Sequence, residues 1–356
     1  MTMIERRKTR KIYVGGVPVG GDSPISVQSM TKTDTRDVNA TVRQIRGLER
    51  AGCEIIRLAV PDREAAEALG RIKARVRIPI VADIHFDWRL ALESIRRGVD
   101  GLRINPGNIG ARWKVQEVVT AASEHGIPIR IGVNSGSLEK DILKKYGHPA
   151  PEALVESAAR HISVLEEMDF TLIKVSLKGS SVPFTIDAYR AFAERFDYPL
   201  HVGITEAGPP PVGIVKSAAG IGILLSEGIG DTIRVSLTAP PRLEVEVAYE
   251  ILKSLDLRRK GVNIISCPTC GRCSLDIIRI AKKVHRTLKE RPVPITVAVM
   301  GCVVNGPGEA READFGIAGG RGEGIVFRKG KIIRRVREED LVEALIDAVE
   351  EEEDWK

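Results

Sequence analysis

The sequence predicts an α/β protein in two parts: a parallel (β/α)₈ TIM barrel over residues 1–258 and a smaller α+β domain over 259–356. Three observations predict it. Between residues 25 and 255, a short β-branched apolar run and a helical stretch alternate eight times. Polar and cationic residues gather at the C-terminal ends of those runs. Where the alternation stops, four of the five cysteines fall in one window, from Cys267 to Cys302.

The strand-like runs are 25–30, 55–60, 78–84, 101–105, 128–134, 171–177, 200–205 and 231–237. Each gap carries apolar residues three and four apart, the period of a helix that buries one face. After the fifth run, Pro151 stands at a first helical turn, followed by Leu154, Val155, Ala158, Ile162 and Leu165 on one side. Alternating strands and helices imply a parallel sheet with right-handed crossovers. Eight such units suit a closed barrel, which typically spans about 250 residues. A doubly wound open sheet would show a glycine fingerprint after its first strand, and Thr31-Lys32-Thr33-Asp34 has none.

At 43% hydrophobic and 29% charged, the composition is that of an ordinary globular protein. No run approaches the roughly 18 apolar residues of a membrane span. The basic start leads into no apolar segment of the signal-peptide kind, so a cytoplasmic location is expected. The net charge is +6, but Lys and Arg are mostly interleaved with acids and aromatics are only 4%, too few for a base-stacking platform. The dense basic segments 6–11 and 329–337 read as solvated surface. A small anionic substrate accounts for the excess cations better than nucleic acid does.

A barrel places its chemistry at the C-terminal strand ends. Standing there are Gln28, Arg57, Asp83, His85, Arg103, Asn105, Arg130, Asn134, Lys174, Lys178, Glu206, Arg234 and Ser236. A cation inside an apolar strand is costly unless paired. Any one of them could be half of a structural ion pair. Gathered at one end, they favour a shared phosphate-bearing ligand, which arginine forks grip bidentately. There is no P-loop and no H-E-x-x-H helix. The glycine-rich segment 319–324 reads as a turn.

Cys53, between Gly52 and Glu54, reads as a small buried apolar residue. Cys267, Cys270 and Cys273, with the distant Cys302, suit three chemistries: an iron–sulfur cluster, a structural zinc or redox-active thiols. The spacing favours the cluster, since zinc sites often pair two Cys-x₂-Cys knuckles and only one is present. Around the cysteines the pattern gives a helix with Ile277, Ala281, Val284 and Leu288 on one face, then a strand over 295–300. Short strands follow over 324–327 and 331–336, then a final helix carrying Leu341, Leu345 and Val349.

Two segments are more specific: Cys267-Pro-Thr-Cys270-Gly-Arg272 and Gly301-Cys302-Val-Val-Asn305-Gly-Pro-Gly-Glu309. Together they resemble the 4-hydroxy-3-methylbut-2-enyl diphosphate synthase family, as do Val81–Phe86, Arg103–Asn108, Arg130–Asn134, Gly203–Gly208 and Leu225–Asp231. The resemblance implies a cytoplasmic oxidoreductase of isoprenoid biosynthesis. Its substrate would be 2-C-methylerythritol 2,4-cyclodiphosphate, and reduced flavodoxin or ferredoxin its electron donor. It implies one [4Fe–4S] cluster per chain on Cys267, Cys270, Cys302 and Glu309. Cys273 departs from the family pattern, and it is expected to start the helix and point away. The resemblance implies a diphosphate clamp of Arg57, Arg103, Arg130 and Lys178, and a pocket of Asp83, His85, Asn105, Asn134 and Ser236. Glu206, Asn305 and Glu309 would take part in the chemistry. A homodimer is implied, with no nucleic acid or membrane partner. Two other readings stay open: an iron–sulfur electron-transfer protein, and a zinc-dependent phosphosugar lyase on the same barrel.

Overall fold

The computed structural model describes residues 4–270, 273, 275–289, 291, 294–302, 310–320 and 322–351. The chain divides into two compact units, Met1–Arg258 and Arg259–Lys356.

The first unit opens with an antiparallel hairpin, β1 (Ile12–Val14) and β2 (Val17–Val19). Eight strands follow: β3 (Ser26–Met30), β4 (Ile55–Ala59), β5 (Ile80–Asp83), β6 (Gly101–Ile104), β7 (Ile129–Asn134), β8 (Ile173–Lys178), β9 (His201–Val202) and β10 (Thr232–Ile233). They form one sheet in the order β8-β7-β6-β5-β4-β3-β10-β9, every pair parallel. A parallel bridge from Val175 to Leu200 joins its two ends, so the sheet closes into the predicted barrel. The last two strands are shorter than the runs 200–205 and 231–237. Beyond Val202 the backbones crowd: a Cβ at Gly203 would lie 2.3 Å from the Arg234 carbonyl oxygen.

The crossovers are α1 (Val38–Ala51), α2 (Arg63–Lys73), α3 (Trp88–Arg96), α4 (Pro106–Ile109), α5 (Arg112–Glu124), α6 (Lys140–Tyr146), α7 (Pro151–Glu166), α8 (Val182–Ala193), α9 (Val212–Ser226) and α10 (Pro241–Ser254). Asp37, Asp62 and Asp87 cap the first three, each accepting from a backbone amide of the first turn. Pro151 opens α7 as expected. The short helices α4 and α6 were not foreseen; neither is long enough to show a periodic face. Apolar side chains on the outer face of the strands, such as Ile56, Leu58 and Ile104, pack with the helices as one continuous core.

The hairpin forms a floor under the barrel. Ile12, Val14 and Val19 are buried against Ile55 and Val81, near the N-terminal starts of β4 and β5. The expectation that 6–11 is solvated surface is corrected here. Arg6 Nη2 lies 2.9 Å from Oδ1 of the buried Asp231, Arg7 Nη2 donates to the Tyr198 carbonyl at 2.7 Å, and Arg10 Nε donates to Asp197 at 2.8 Å. These cations anchor the N-terminal segment to the barrel's lower end.

The second unit contains β11 (Asn263–Ser266), α11 (Ile277–Leu288), β12 (Thr296–Met300), β13 (Phe315–Gly319), β14 (Glu323–Arg328), β15 (Lys331–Arg337) and α12 (Leu341–Glu350). The five strands lie in sequence order, β11 to β13 parallel and β13 to β15 antiparallel. Gly319 pairs with Gly324 where β13 turns into β14, so the glycine-rich segment is a hairpin turn. α11 and α12 bury Ile280, Val284, Leu341 and Leu345 with Val297, Val299 and Ile317 of the sheet. The sequence missed β11, four residues long, and β13, whose Phe-Gly-Ile-Ala-Gly holds too few β-branched residues to signal a strand. β15 is an exposed edge strand rich in Lys and Arg, which discourages pairing with other chains. Among the described residues, no helix is long and apolar enough to cross a membrane.

Candidate active site

Parallel ladders put Asp83 beside Arg103, Arg103 beside Arg130, and Arg130 beside Lys174. Barrel strands tilt, so a row running straight across them descends along the axis. The row therefore begins at the end of β5 and finishes at Lys174, the second residue of β8. Lys178 lies four residues further on, at the C-terminal end of β8, where it pairs with Asn134. The strand pattern alone cannot choose between these lysines, and the resemblance favours Lys178. The fold places Lys178 at the mouth and Lys174 roughly 13 Å deeper along its strand.

Two glycines make room for the cations. A Cβ at Gly132 would stand 2.6 Å from Arg103 Nε, and one at Gly203 would stand 2.9 Å from Lys178 Nζ. Neither glycine was singled out by pattern.

Asp83 is 3% exposed and shared. Its Oδ1 is 3.2 Å from Arg103 Nη1, and its Oδ2 is 3.5 Å from Arg57 Nε and 3.7 Å from His85 Nε2. Burial pushes its carboxyl up, but the pull of Arg57, His85 and Arg103 outweighs that and holds it well below the usual range. A second buried carboxylate, Glu244 on α10, lies 3.2 Å from Lys32 Nζ and 3.9 Å from Arg234 Nη2, and accepts from the Leu237 amide at 3.1 Å. The sequence reading overlooked Glu244. The available signal was an acid in the first turn of a helix whose other residues are largely apolar.

These two carboxylates act on Arg57, Arg103, Arg130 and Arg234, while Lys178 at the mouth and the deeper Lys174 lie beyond them. Arg57 otherwise meets Met30 Sδ, a weak acceptor, at 2.9 Å. Arg130 Nη1 donates to Ser176 at 3.3 Å, while its Nε and Nη2 are buried without a partner. Lys174 Nζ, both side-chain polar atoms of Gln28 and both ring nitrogens of His201 are likewise buried and unpaired. Burial lowers Arg57 to about 10, with Asp83 resisting and Arg234 adding to the shift. Burial, then repulsion from Arg130, lowers Lys174 to about 7. Burial also pushes Arg130, Lys178 and His201 well below their ordinary values, each helped by its cationic neighbours. Uncompensated buried charge costs several kcal/mol per ion. Such a set is built for a multiply charged anion that restores the balance.

At the mouth, a cavity of about 240 Å³ is lined by Lys32, Glu206, Arg234, Ser236 and Glu244. Glu206 is exposed and has φ +52, a left-handed backbone uncommon for a residue with a Cβ. Asn105 is buried; its Oδ1 accepts from the Gly107 amide at 3.1 Å and its Nδ2 donates to Ser137 Oγ at 3.3 Å. His85 is half-exposed, with Nε2 3.4 Å from Arg103 Nη1. The fold thus joins Arg57, Asp83, His85 and Arg103 in one contact network, with Arg130 beside Arg103 in the ladder, and Glu206 with Ser236 in one cavity.

In the second unit the parallel ladder sets Ser266 opposite Val299, so Cys267 and Gly301 emerge at the same end of the sheet, with Cys302 next in chain. The Gly301 amide donates to Cys267 Sγ at 3.2 Å. A Cβ at Gly301 would lie 2.3 Å from Cys273 Sγ and 3.4 Å from Cys267 Sγ. Cys273 therefore faces the same spot as Cys267 and lies outside α11, which corrects the expectation that it starts the helix and points away. Cys270 is exposed, Cys302 half-buried, and none of the five cysteines forms a disulfide. Cys53 is buried, as expected. Among the described residues, no three His, Cys, Asp or Glu side chains converge as a ready metal site. Asn305 and Glu309 lie outside the described residues. The donor set, thiols outside any disulfide with an amide donor at one sulfur and a glycine between two of them, fits an iron–sulfur group.

Residues 9–249 match the GcpE TIM-barrel domain, and residues 263–351 match the GcpE protein C-terminal domain. The chain belongs to the GcpE family. Relatives named 4-hydroxy-3-methylbut-2-en-1-yl diphosphate synthase (flavodoxin) include one from Thermodesulfovibrio yellowstonii, 65% identical over 98% of this chain and 99% of its own length. Another, from Geobacter sulfurreducens, is 63% identical over 97% of this chain and 98% of its own. A crystal structure of dihydropteroate synthase from Stenotrophomonas maltophilia superposes with a TM-score of 0.51 at 13% identity, covering 70% of this chain and 97% of that one. That likeness concerns the barrel fold alone. As a GcpE family member the chain is an oxidoreductase, and its TIM barrel with C-terminal α+β domain is the predicted architecture.

Proposed function

We propose that the chain carries out the reaction for which its relatives are named. 2-C-methylerythritol 2,4-cyclodiphosphate would take up two electrons and two protons. A carbon–oxygen bond of the ring opens, a hydroxyl leaves as water, and 4-hydroxy-3-methylbut-2-enyl diphosphate forms. The carrying observation is the cation set under the barrel mouth, against which the described residues set the buried carboxylates Asp83 and Glu244, in a chain of the GcpE family.

Arg57, Arg103, Arg130 and Lys178 hold the diphosphate, and Arg234 joins them from the end of β10. Asp83 orients Arg57 and Arg103 rather than touching the anion, because its two oxygens are already engaged. His85, Asn105, Asn134 and Ser236 shape the polyol side of the pocket. Glu206, beside Ser236 in the mouth cavity, supplies from its carboxyl the proton that lets the hydroxyl leave as water. Its strained backbone is consistent with a position retained for function.

Cys267, Cys270, Cys302 and Glu309 would hold one [4Fe–4S] cluster. When bound, it supplies single electrons and an iron that Glu309, a weaker and harder ligand than thiolate, can leave open as a Lewis acid. Asn305, next to this ligand set in sequence, contacts the substrate from that side. The functional unit is a homodimer, and the donor is a flavodoxin, as in the relatives' name, with ferredoxin as the substitute.

The test is anaerobic purification with iron, sulfide and zinc analysis, then titration with the cyclodiphosphate while following visible absorbance and EPR. About four irons per chain and a spectrum that responds to substrate are expected. Glu309→Ala should abolish turnover, and Cys273→Ala should keep it. Zinc in place of iron, or a cluster blind to the substrate, overturns the reading.

A further inference from the structure

We propose that a cationic groove on the C-terminal unit is the docking face for the electron donor, a one-electron carrier whose own redox face is acidic. The inference rests on the reductive reading above and adds where the electrons enter.

The groove has a volume of about 830 Å³. One wall is the outer face of α11, with Arg279, Lys282, Lys283 and Arg286; the other carries Arg337 at the end of β15 together with Glu338 and Glu339, so the excess of positive charge lies on the α11 wall. The four α11 cations are spaced i, i+3, i+4 and i+7, so they form one stripe opposite the buried Ile277, Ile280, Val284 and Leu288. Arg279 lies 3.8 Å from Asp276, and Arg337 is paired with Glu339 at 2.8 Å. Lys282, Lys283 and Arg286 are exposed and have no carboxylate partner among the described residues.

Helix stability does not explain the stripe as a whole. Arg286 in the last turn suits the helix dipole, but like charges three and four apart repel, and Arg279 in the first turn opposes that dipole. Elsewhere the chain places opposite charges at that spacing, as in the 2.7 Å pair of Arg160 with Glu156 on α7. An acidic partner supplies the missing counter-charge.

The position fits electron delivery. Ile277, at the start of α11, approaches the same Gly301 position as the sulfurs of Cys267 and Cys273. The unpaired cations begin five residues later, about 8 Å along the helix axis. Between them Ile278, 57% exposed, offers an apolar contact at the edge of the cationic stripe. A small apolar centre with a charged rim suits a transient redox encounter, in which charge steers approach and the buried area stays small.

The test uses the full-length, cluster-loaded enzyme under anaerobic conditions with two reductants: reduced flavodoxin, which must dock, and dithionite, which need not. Lys282→Glu/Lys283→Glu/Arg286→Glu should lower kcat/KM for flavodoxin about 10- to 100-fold and flatten its dependence on salt. Dithionite-driven turnover and iron content should stay at the wild-type level. Lys282→Gln/Lys283→Gln should fall between the two. Titration of oxidised flavodoxin with each enzyme gives a readout without turnover, and the reversed variant should bind at least tenfold more weakly. Equal flavodoxin affinity and salt slope in wild type and reversed variant overturn the proposal. Wild-type enzyme that turns over with neither reductant overturns the reductive reading instead, and the binding titration still judges the groove.

Discussion

The two ends of the barrel bury charge in opposite ways. At the N-terminal end Asp231 is 2% exposed and satisfied: Arg6 pairs with it, Thr9 donates to it, and the Leu200 amide donates at 2.8 Å. Beneath it the hairpin of β1 and β2 seals the floor with apolar side chains. At the C-terminal end Arg130 and Lys178 are buried in each other's field, and among the described residues neither has a carboxylate within ion-pairing distance; Lys174, deeper in the barrel beside Arg130, extends the deficit. Burial alone therefore does not mark function. The balance of charge does: a closed account at the lower end stabilises the fold, and an open one at the upper end awaits an anion.

Arg130→Met should produce the largest contrast. Loss of a buried cation from a diphosphate clamp costs about 4 kcal/mol of transition-state binding, roughly a thousandfold in kcat/KM. The same change relieves the substrate-free barrel of an uncompensated charge, so its melting temperature should hold or rise. Steady-state kinetics and calorimetry on one preparation decide the matter. A variant that melts lower and keeps its activity would make Arg130 a structural cation and erase the difference between the ends.

Arg6→Ala is the mirror experiment. It strands Asp231, whose carboxyl burial already pushes up against the opposing Leu200 amide and Arg6. The loss should be about 1.5–3 kcal/mol of stability, the usual worth of a hydrogen bond to a charged group. kcat/KM per folded molecule should not change. A catalytic defect without loss of stability would mean that the floor communicates with the mouth.

The comparison also separates what the sequence could convey from what it could not. Eight alternations announced the barrel, because period-2 and period-3.6 patterns are local. Arg57, Arg103 and Arg130 stood out because a cation inside an apolar strand breaks that pattern. The depth of Lys174 was hidden, since it depends on strand tilt and on ladder register between β7 and β8. The role of 6–11 was hidden for a related reason: its partners, Asp197, Tyr198 and Asp231, lie nearly two hundred residues or more away. Glu244 and Gly132 matter through the side chains they face, Lys32 and Arg234 for the one and Arg103 for the other, and no spacing rule links those positions. Glu309 came from the resemblance and not from spacing, which would have selected Cys273. The structure now places Cys273 beside Cys267, so the fourth-ligand question has become experimental.

Lys174 gives an effect that fades with pH, and with it the finest test of the charge deficit. Its ammonium is buried, unpaired and lowered to about 7 by burial and then by Arg130. The charged and polar groups around it are Arg130 on β7, Gln28 on β3, His201 on β9 and the more distant Asp231. In the unfolded chain a lysine titrates near 10.4. Below pH 7 both states hold the proton, and the folded state bears the full cost of the buried charge. Between about 7 and 10.4 the unfolded chain binds more protons, so this group makes stability rise with pH, by at most about 1.4 kcal/mol per unit. Lys174→Met removes the term. The variant should exceed wild type by roughly 1–4 kcal/mol at pH 6, with the gap closing toward pH 10. Saturating inorganic pyrophosphate should shrink the gap at every pH, because an anion in the clamp restores the charge that Lys174 lacks. Denaturant titrations of both proteins from pH 6 to 10, with and without pyrophosphate, measure it. Parallel curves would mean that Lys174 keeps an ordinary pKa through solvent or a counter-ion, and that the charge deficit ends at Arg130.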